Sequence, residues 1–179
     1  CYLGCQRQPP SVRFLNQLIH AYVRCVPWES VSRILKRQHT PLTAACPRWP
    51  EEFWNEALVR GTGGTCFENN LAFFTLLRAL GFDGYLTINN MQQTPACHTA
   101  IVLFLNQQKY LADVAIPLLC ALPLRPDRLT RRSTFLHHYT VRPDGEDIYQ
   151  IERSHHPKRN IFTLLDRPVP PDIYRAAVE

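Results

Sequence analysis

The sequence lacks the long apolar runs, paired cysteine motifs and internal repeats that mark several common classes of protein. No stretch of about 18 consecutive apolar residues occurs, so no membrane span is predicted. No Cys-x-x-Cys pair is present, which argues against a zinc ribbon and against a thioredoxin-like redox site. An apolar content of 45% over 179 residues is instead typical of a globular protein with its own core.

Seven cysteines are present, and their positions share no regular spacing: Cys1, Cys5, Cys25, Cys46, Cys66, Cys97 and Cys120. Because no basic-then-apolar leader precedes them, we expect reduced thiols and a cytoplasmic protein. A disulfide bond between the first two cysteines is an open alternative, although no other feature of the sequence supports it.

The formal net charge is +5, and much of the excess lies in residues 125–132 and 155–159. We favour solvated loops for both stretches; attraction of a phosphorylated cofactor or another anion is the alternative. Nucleic-acid binding is not expected, because no aromatic residues are interleaved with the basic ones. No metal site is predicted at the histidine pairs 137–138 and 155–156, because adjacent side chains of a strand point to opposite faces.

The first 84 residues carry the apolar spacing of three and four that is typical of amphipathic helices. Predicted helices cover residues 11–24, 50–60 and 66–81, with a serine cap, a leading proline and a closing glycine respectively. Residues 32–50 hold few periodic positions and three prolines. They are therefore predicted to form a loop that crosses the surface.

Residues 26–31, V-P-W-E-S-V, are predicted to form a packed corner. The proline at position 27 is predicted to end the first helix there. The side chain of Trp28 is predicted to enter the core rather than to serve as a platform for a ligand. The carboxylate of Glu29 is predicted to act as a cap rather than as a catalytic group.

Beyond residue 84 the pattern changes to that of strands. The sequence predicts strands at residues 85–89, 98–105, 109–116, 135–141, 148–153 and 160–165. Between them it predicts a polar loop at 89–95 and irregular, proline-rich chain at 117–130. Helices followed by strands predict an α+β fold, in which an N-terminal helical bundle packs on an antiparallel β-barrel or sheet.

Cys66 is the candidate nucleophile because of the turn that precedes it. Two glycines stand at 63–64, and an amphipathic segment follows at once, so Cys66 is expected in the first turn of a helix. Unpaired N–H groups and the positive end of the helix dipole favour a thiolate there. The glycines allow another backbone or a substrate to approach closely. An ordinary buried cysteine is the alternative.

A reactive thiol needs a base and a group that orients the base. His98 opens one predicted strand, Asp113 lies in the next, and the turn at 106–108 makes the two strands antiparallel. Residue 98 is then expected to face residues 113–115, within reach of a cross-strand pair. Such a pair fixes the imidazole tautomer and favours the imidazolium that accompanies a thiolate. Cys97 is expected on the opposite face of the strand. An unrelated histidine and aspartate in a hairpin are the alternative.

Four motifs, in the same order along the chain, resemble those of the arylamine N-acetyltransferases. V-P-W-E-S-V at 26–31 is similar to the family's V-P-F-E-N-L, and G-G-T-C-F-E-N-N at 63–70 is similar to R-G-G-x-C-F-E-x-N. C-H-T at 97–99 opens a strand, and Y-L-A-D-V at 110–114 is similar to Y-L-V-D-V. A weaker stretch at 161–172 resembles the end of the family's barrel and the start of its lid.

The resemblance implies a cysteine-protease-like core and a ping-pong reaction. An acetyl group would pass from acetyl-CoA to an arylamine or hydrazine through a cysteinyl thioester. Cys66 would be the nucleophile, His98 the base and Asp113 the group that orients it. Acyl-CoA and a small amine are the implied partners, and neither nucleic acid, a membrane nor a metal is expected.

Three domains are expected from the combined patterns. Residues 1–84 form a helical domain that carries the nucleophile, and residues 85–165 form an antiparallel β-barrel. Residues 166–179 are a linker or the start of a truncated C-terminal lid, with a short helix predicted from Pro171, so most of the family's lid is expected to be missing.

Two positions depart from the family pattern, and they leave the residues that bind the acyl donor unassigned. Thr62 stands where the family has an arginine, and A-I-P at 115–117 replaces the family's G-F-G.

A transglutaminase-like thiol hydrolase or amidase is one alternative function. A non-catalytic descendant that acts as a binding module is the other.

Overall fold

The computed structural model describes residues 2–116, 118–154 and 160–179. Its helices are α1 (Val12–Cys25), α2 (Val31–His39), α3 (Pro50–Arg60), α4 (Cys66–Ala79) and α5 (Pro171–Val178), with a 3₁₀ helix at Thr43–Ala45. Its strands are β1 (Asp83–Met91), β2 (Thr94–Leu105), β3 (Gln108–Ala112), β4 (Leu122–Leu124), β5 (Thr130–Ser133), β6 (His138–Pro143), β7 (Ile148–Arg153) and β8 (Asn160–Leu165). The predicted α+β class is confirmed.

The strands form one antiparallel sheet in the order β4-β3-β2-β1-β8-β7-β6-β5. The two edge strands, β4 and β5, contact each other. Across this seam the hydroxyl of Thr130 donates to the carbonyl oxygen of Pro123 at 2.8 Å. The sheet therefore curls into a nearly closed barrel, as the sequence predicted.

Caps and apolar stripes explain why the predicted helices form. The backbone N–H of Phe14 donates to the Ser11 hydroxyl at 3.1 Å at the start of α1. A reciprocal capping box joins Thr65 and Glu68 at the start of α4. Gly81 follows that helix with a φ of +91°, a backbone conformation that favours glycine.

One hydrophobic core joins the helices to the first strands. Phe14, Phe73 and Phe82 are buried there together with Leu86 and Ile101 of the sheet. A second cluster, from β2–β4 and β6–β8 with the segment before β4, fills the barrel. Because the first core spans residue 84, the two halves pack as one body. The three domain boundaries themselves stay a prediction.

Residues 32–50 are not the surface loop that the sequence predicted, because most of α2 lies within them. The Glu29 carboxylate accepts hydrogen bonds from the backbone N–H and the hydroxyl of Ser32, at 2.9 and 2.7 Å. The carboxylate thus satisfies an N–H group in the first turn of α2, as the predicted cap would, although Ser30 is the residue at the N-cap position. None of the residues of α2 is fully buried, so the helix carries little of the pattern that reports core packing. Trp28 is 61% exposed, which contradicts its predicted place in the core.

The predicted polar loop at 89–95 is instead the end of a hairpin. Met91 pairs with Thr94, which leaves a two-residue turn between β1 and β2. Asn89 is fully buried, and its Oδ1 accepts from the backbone N–H of Leu165 at 2.9 Å. A satisfied amide can lie inside a sheet, which is why polarity alone misplaced this segment.

Three further boundaries differ from the prediction. Residues 117–130 were expected to be irregular, yet the buried strand β4 lies among them and pairs with β3. Strand β3 ends at Ala112, so Asp113 follows the strand rather than lying in it. Strand β6 begins at His138, three positions after the predicted start.

Candidate active site

The Gly-Gly turn before α4 packs against the corner at residues 26–31. Backbone hydrogen bonds join Gly64 to Pro27 at 3.3 Å and to Glu29 at 3.1 Å. A Cβ atom added at Gly63 would stand 1.7 Å from the carbonyl oxygen of Pro27, so only glycine permits this approach. The prediction that these glycines admit another backbone is confirmed.

Cys66 is the first residue of α4, as predicted, and its side chain is half-buried. The Cys66 Sγ donates to the carbonyl oxygen of Cys97 at 3.8 Å, so the thiol lies beside β2. It also lies at the positive end of the helix dipole. The thiol of Cys97 bonds instead to the carbonyl oxygen of Thr94 at 3.2 Å, away from this position.

His98 lies within β2 and Asp113 directly follows β3; their side chains are 1% and 0% exposed. The Nε2 atom of His98 is 2.6 Å from the Oδ2 atom of Asp113, so the predicted pair is present. Ile101 opposes Ala112 in the sheet, which is the register that the hairpin argument required. The ring of Phe162 packs at 4.9 Å on the His98 ring.

The electrostatics of this pair favour a charged imidazole. Burial lowers the pKa of His98, but the charge and hydrogen bond of Asp113, with a smaller contribution from the nearby Cys66, outweigh it and raise the pKa to about 10. Because Asp113 occupies Nε2, the Nδ1 atom is the one that can face Cys66. The raised pKa favours the protonated imidazole of His98, the form that stabilises a neighbouring thiolate. The structure thus brings the three predicted residues together.

Asn70 ties the nucleophile helix to the carboxylate. Its Nδ2 donates to Oδ1 of Asp113 at 3.1 Å, and its own Oδ1 accepts from the N–H of Val114 at 3.1 Å. The N–H groups of Ala115 and Ile116 also donate to that carboxylate oxygen, at 2.9 and 3.1 Å. The sequence prediction assigned no role to Asn70. Its position one helical turn after the thiol was the available signal.

Arg48 is a buried cation beneath the Gly-Gly turn, with a side chain 1% exposed. Its guanidinium lies 3.0 Å from the carboxylate of Glu68 and 2.9 Å from that of Glu56, and it donates to the carbonyl oxygen of Gly63. Burial lowers its pKa, but the hydrogen bonds and charges of these two carboxylates outweigh that effect and raise it. Glu68 also accepts from the N–H of Thr65 at 3.3 Å, so Arg48 supports the start of the nucleophile helix.

Thr62 lies where the resemblance placed an arginine, and its buried hydroxyl has no hydrogen-bond partner among the described residues. The guanidinium of Arg48 instead reaches the carbonyl of the next residue, Gly63. A cation is thus supplied to this turn from elsewhere in the chain. No sequence signal marked Arg48, because it belongs to the segment predicted as a loop.

Tyr174 of α5 covers the other side of the start of α4. It is 3% exposed, and its hydroxyl donates to the carbonyl oxygen of Phe67 at 2.8 Å. Burial raises the pKa of Tyr174, and the nearby charges of Cys66 and Asp113 act in the same direction. Because Phe67 directly follows Cys66 in the chain, the hydrogen bond to its carbonyl oxygen places the phenol near the thiol. The sequence predicted a short helix here but gave it no place in the site.

The other candidate groups do not join this cluster. The Nδ1 atom of His138 is 2.8 Å from the hydroxyl of Ser133, at the barrel surface. In the described ranges, no three His, Cys, Asp or Glu side chains are grouped to hold a metal ion. The six described cysteines are free thiols. Cys1, Pro117 and the pair at 155–156 lie outside the described residues.

No helix in the described part of the chain combines the length and apolar character that a membrane crossing requires.

A helical bundle on an antiparallel barrel, with a thiol, an imidazole and a carboxylate at their junction, defines an α+β protein with a cysteine-protease-like core. The sequence model of the N-acetyltransferase family matches residues 11–177. The chain therefore belongs to this family, which confirms the resemblance.

Solved structures share the fold at low sequence identity. The arylamine N-acetyltransferase from Mycobacterium abscessus is 22% identical, with a TM-score of 0.79 over 99% of this chain and 65% of that one. The Salmonella typhimurium enzyme is 21% identical, with a TM-score of 0.79 over 98% and 65%. NAT3 of Bacillus cereus, described as having a unique Cys-His-Glu catalytic triad, is 19% identical, with a TM-score of 0.78 over 99% and 73%.

The chain spans about two thirds of the length of these relatives, and 65% of the Mycobacterium abscessus protein. A comparison with curated proteins found none that matches the sequence.

Proposed function

We propose that this protein is an acyltransferase that moves an acetyl or other short acyl group from acyl-CoA to an arylamine or hydrazine. Cys66 acts as the nucleophile, His98 as the proton carrier and Asp113 as the group that orients the imidazole. The observation that carries the proposal is the buried His98–Asp113 pair at 2.6 Å, beside the Cys66 thiol, which contacts the carbonyl oxygen of the residue before His98. We propose a cytoplasmic location for this activity.

The first half-reaction starts from a Cys66 thiolate beside a His98 imidazolium. The thiolate attacks the carbonyl carbon of the acyl-CoA and forms a tetrahedral oxyanion. N–H groups at the start of α4, which have no intrahelical partner, are placed to stabilise this charge. The intermediate collapses, the bond to the CoA sulfur breaks, and His98 protonates that sulfur. The products are free CoA and an acyl thioester on Cys66.

The second half-reaction uses the neutral imidazole left by the first. The amine attacks the thioester carbonyl while His98 takes a proton from the amine nitrogen. Collapse releases the N-acylated amine and expels the Cys66 thiolate. The thiolate–imidazolium pair is thereby restored, so the reaction is ping-pong and needs no metal or redox partner.

Initial-rate kinetics test this sequence of steps. With acetyl-CoA and an arylamine varied together, we expect parallel double-reciprocal lines and no activity in Cys66→Ala. Cys97→Ser is the matched control, because this neighbouring thiol points away from the site and its removal is expected to keep most of the activity. Intersecting lines, or an active Cys66→Ala variant, would contradict the proposal.

A thiol hydrolase would use the same three residues but would accept water in the second half-reaction. The replacement of G-F-G by A-I-P at 115–117 is the observation that favours testing it. Release of CoA without amine, at the rate seen with amine, would support hydrolysis. Release that stops after a single equivalent of CoA per protein molecule, and continues only when amine is added, would support acyl transfer.

A further inference from the structure

A cleft of about 710 Å³ opens between α1, the segment before β4 and the start of β5. Its walls include Arg13, Asn16 and His20 from the helix and Cys120 and Arg132 from the barrel. None of the three proposed catalytic residues lines it. Its volume lies in the range of small-molecule sites. The basic stretch noted in the sequence supplies one of its two arginines.

Positive charge lines this cleft without a compensating carboxylate. No Asp or Glu is among its lining residues, and neither Arg13 nor Arg132 forms an ion pair with any other described residue. Arg132 acts electrostatically on Cys120, which also lines the cleft. Burial raises the pKa of the Cys120 thiol, and the positive charge of Arg132 partly opposes that rise. Guanidinium groups bind phosphate through paired N–H donors, so the cleft favours a phosphorylated ligand.

The two walls of the cleft are fixed relative to each other. The Oδ1 atom of Asn16, on α1, accepts a hydrogen bond from the backbone N–H of Ala121 at 2.8 Å. The other amide atom, Nδ2, has no hydrogen-bond partner among the described residues and remains a donor for a ligand. Because this bond joins the helix to the barrel, the cleft is preformed, which lowers the entropic cost of binding.

An exposed aromatic ring stands next to the charged wall. Phe135 is 77% exposed, and its ring lies 6.5 Å from that of His20, at 69° to it. The N–H of Thr134 donates to the carbonyl oxygen of His137 at 2.8 Å, a tight turn that presents Phe135 to solvent. An aromatic face beside unpaired arginines suits a planar base attached to a phosphate.

We propose that this cleft binds a nucleotide, with its phosphate held by Arg13 and Arg132 and its base stacked on Phe135. Free mononucleotides and the nucleotide end of coenzyme A share this chemistry. The inference does not rest on the proposed acyl transfer, because none of Cys66, His98 and Asp113 lines the cleft.

Calorimetric titration of the protein with AMP tests the proposal. Saturable binding is expected, and Arg13→Gln and Arg132→Gln are each expected to weaken it about tenfold, since each removes a charge-assisted contact. Phe135→Ala is expected to weaken AMP and to leave inorganic phosphate unchanged. Arg131→Gln is the matched control: it removes the same charge from the adjacent position of β5, whose side chain points to the opposite face, and should alter affinity less than about twofold.

The same titration with coenzyme A separates the two sources of nucleotide. If coenzyme A binds, and Arg132→Gln weakens it as it weakens AMP, the site holds the nucleotide end of the larger molecule. If AMP binds and coenzyme A does not, it holds a free nucleotide. The proposal is overturned if AMP fails to bind or if the Arg13 and Arg132 variants bind AMP as tightly as wild type does. It is also overturned if phosphate binds as tightly as AMP and Phe135→Ala changes the affinity for neither ligand. Each variant is compared with wild type by circular dichroism, so that loss of folding is not mistaken for loss of binding.

Discussion

At the scale of single residues, the carboxylate of Glu68 depends on a partner that is distant in sequence. Glu68 is fully buried and lies 3.0 Å from Arg48, which is buried too. We predict that Arg48→Met lowers the free energy of unfolding by about 3–5 kcal/mol, because it leaves a buried charge without its partner. Urea denaturation measures this change.

The matched control is Arg60→Gln. Arg60 is 71% exposed and lies 3.9 Å from Glu56, so its loss is expected to cost less than about 1 kcal/mol. Similar losses in the two variants would contradict the structural role given to Arg48.

The His98–Asp113 pair makes stability depend on pH. The pKa of His98 is raised to about 10, above its value of about 6.5 in an unfolded chain. A group of this kind stabilises the fold fully below its unfolded pKa, and this contribution is lost as pH rises through the folded pKa. We therefore predict a free energy of unfolding that falls between about pH 6.5 and about pH 10. Chemical denaturation at constant ionic strength measures the slope.

Asp113→Asn removes the charge that raises the His98 pKa. The fall in stability over the same pH window is expected to be much smaller in this variant. If wild type and variant lose stability in parallel as pH rises, the imidazolium–carboxylate pair is not the cause.

The sequence correctly predicted that Cys66, His98 and Asp113 lie close together. A Gly-Gly turn and a hairpin register are local signals, and the resemblance to the family decided in favour of these three residues where spacing alone left alternatives open. Arg48 and Tyr174 act through contacts with residues far away in the chain, and no local pattern reports such contacts. Their roles required the tertiary structure.

At the scale of elements, the start of α4 depends on how closely two backbones approach. A methyl group at Gly63 would overlap the carbonyl oxygen of Pro27, a backbone atom that can move only with its whole segment. We predict that Gly63→Ala destabilises the protein by about 3 kcal/mol or more, as overpacking against backbone does. Thermal denaturation and a urea titration measure the loss.

Gly61→Asn serves as the control for this prediction. Gly61 has a φ of +70° and open space around its missing Cβ, and asparagine tolerates that conformation better than most residues. It is expected to cost less than about 1 kcal/mol. A Gly63→Ala variant as stable as this control would show that the two backbones are not in close contact.

Elements with a clear periodic pattern of apolar residues were predicted, and those without one were not. Helices α1 and α4 carry apolar stripes that pack into the core, and both were found within a few residues of their true ends. Helix α2 buries none of its residues completely and was taken for a loop. Strand β4 is only three residues long and contains a proline, so it gave no alternating pattern.

At the scale of the whole molecule, α5 returns the C-terminal segment to the nucleophile helix. Tyr174 donates to the Phe67 carbonyl at 2.8 Å, and the guanidinium of Arg175 lies 4.2 Å from the centre of the Trp49 ring. We predict that Tyr174→Phe lowers the free energy of unfolding by about 1 kcal/mol through loss of one hydrogen bond. Tyr174→Ala is expected to cost about 3–5 kcal/mol, because a buried ring is removed. Urea unfolding measures both.

Ile173→Ala offers a control on the same helix, since Ile173 is 53% exposed. Its loss is expected to change stability by less than about 1 kcal/mol. Equal effects at 173 and 174 would contradict the docking of α5 through its tyrosine. The sequence predicted this helix but not its docking, because which surface a short helix covers depends on the whole fold.

The most direct test of the account is mass spectrometry of the protein after incubation with acetyl-CoA in the absence of amine. We predict one acetyl group on the peptide that contains Cys66, its removal when an arylamine is added, and no such adduct in Cys66→Ala. An unmodified Cys66 with every short acyl-CoA tried, or acetylation of other cysteines alone, would contradict the central claim that this thiol carries the acyl group.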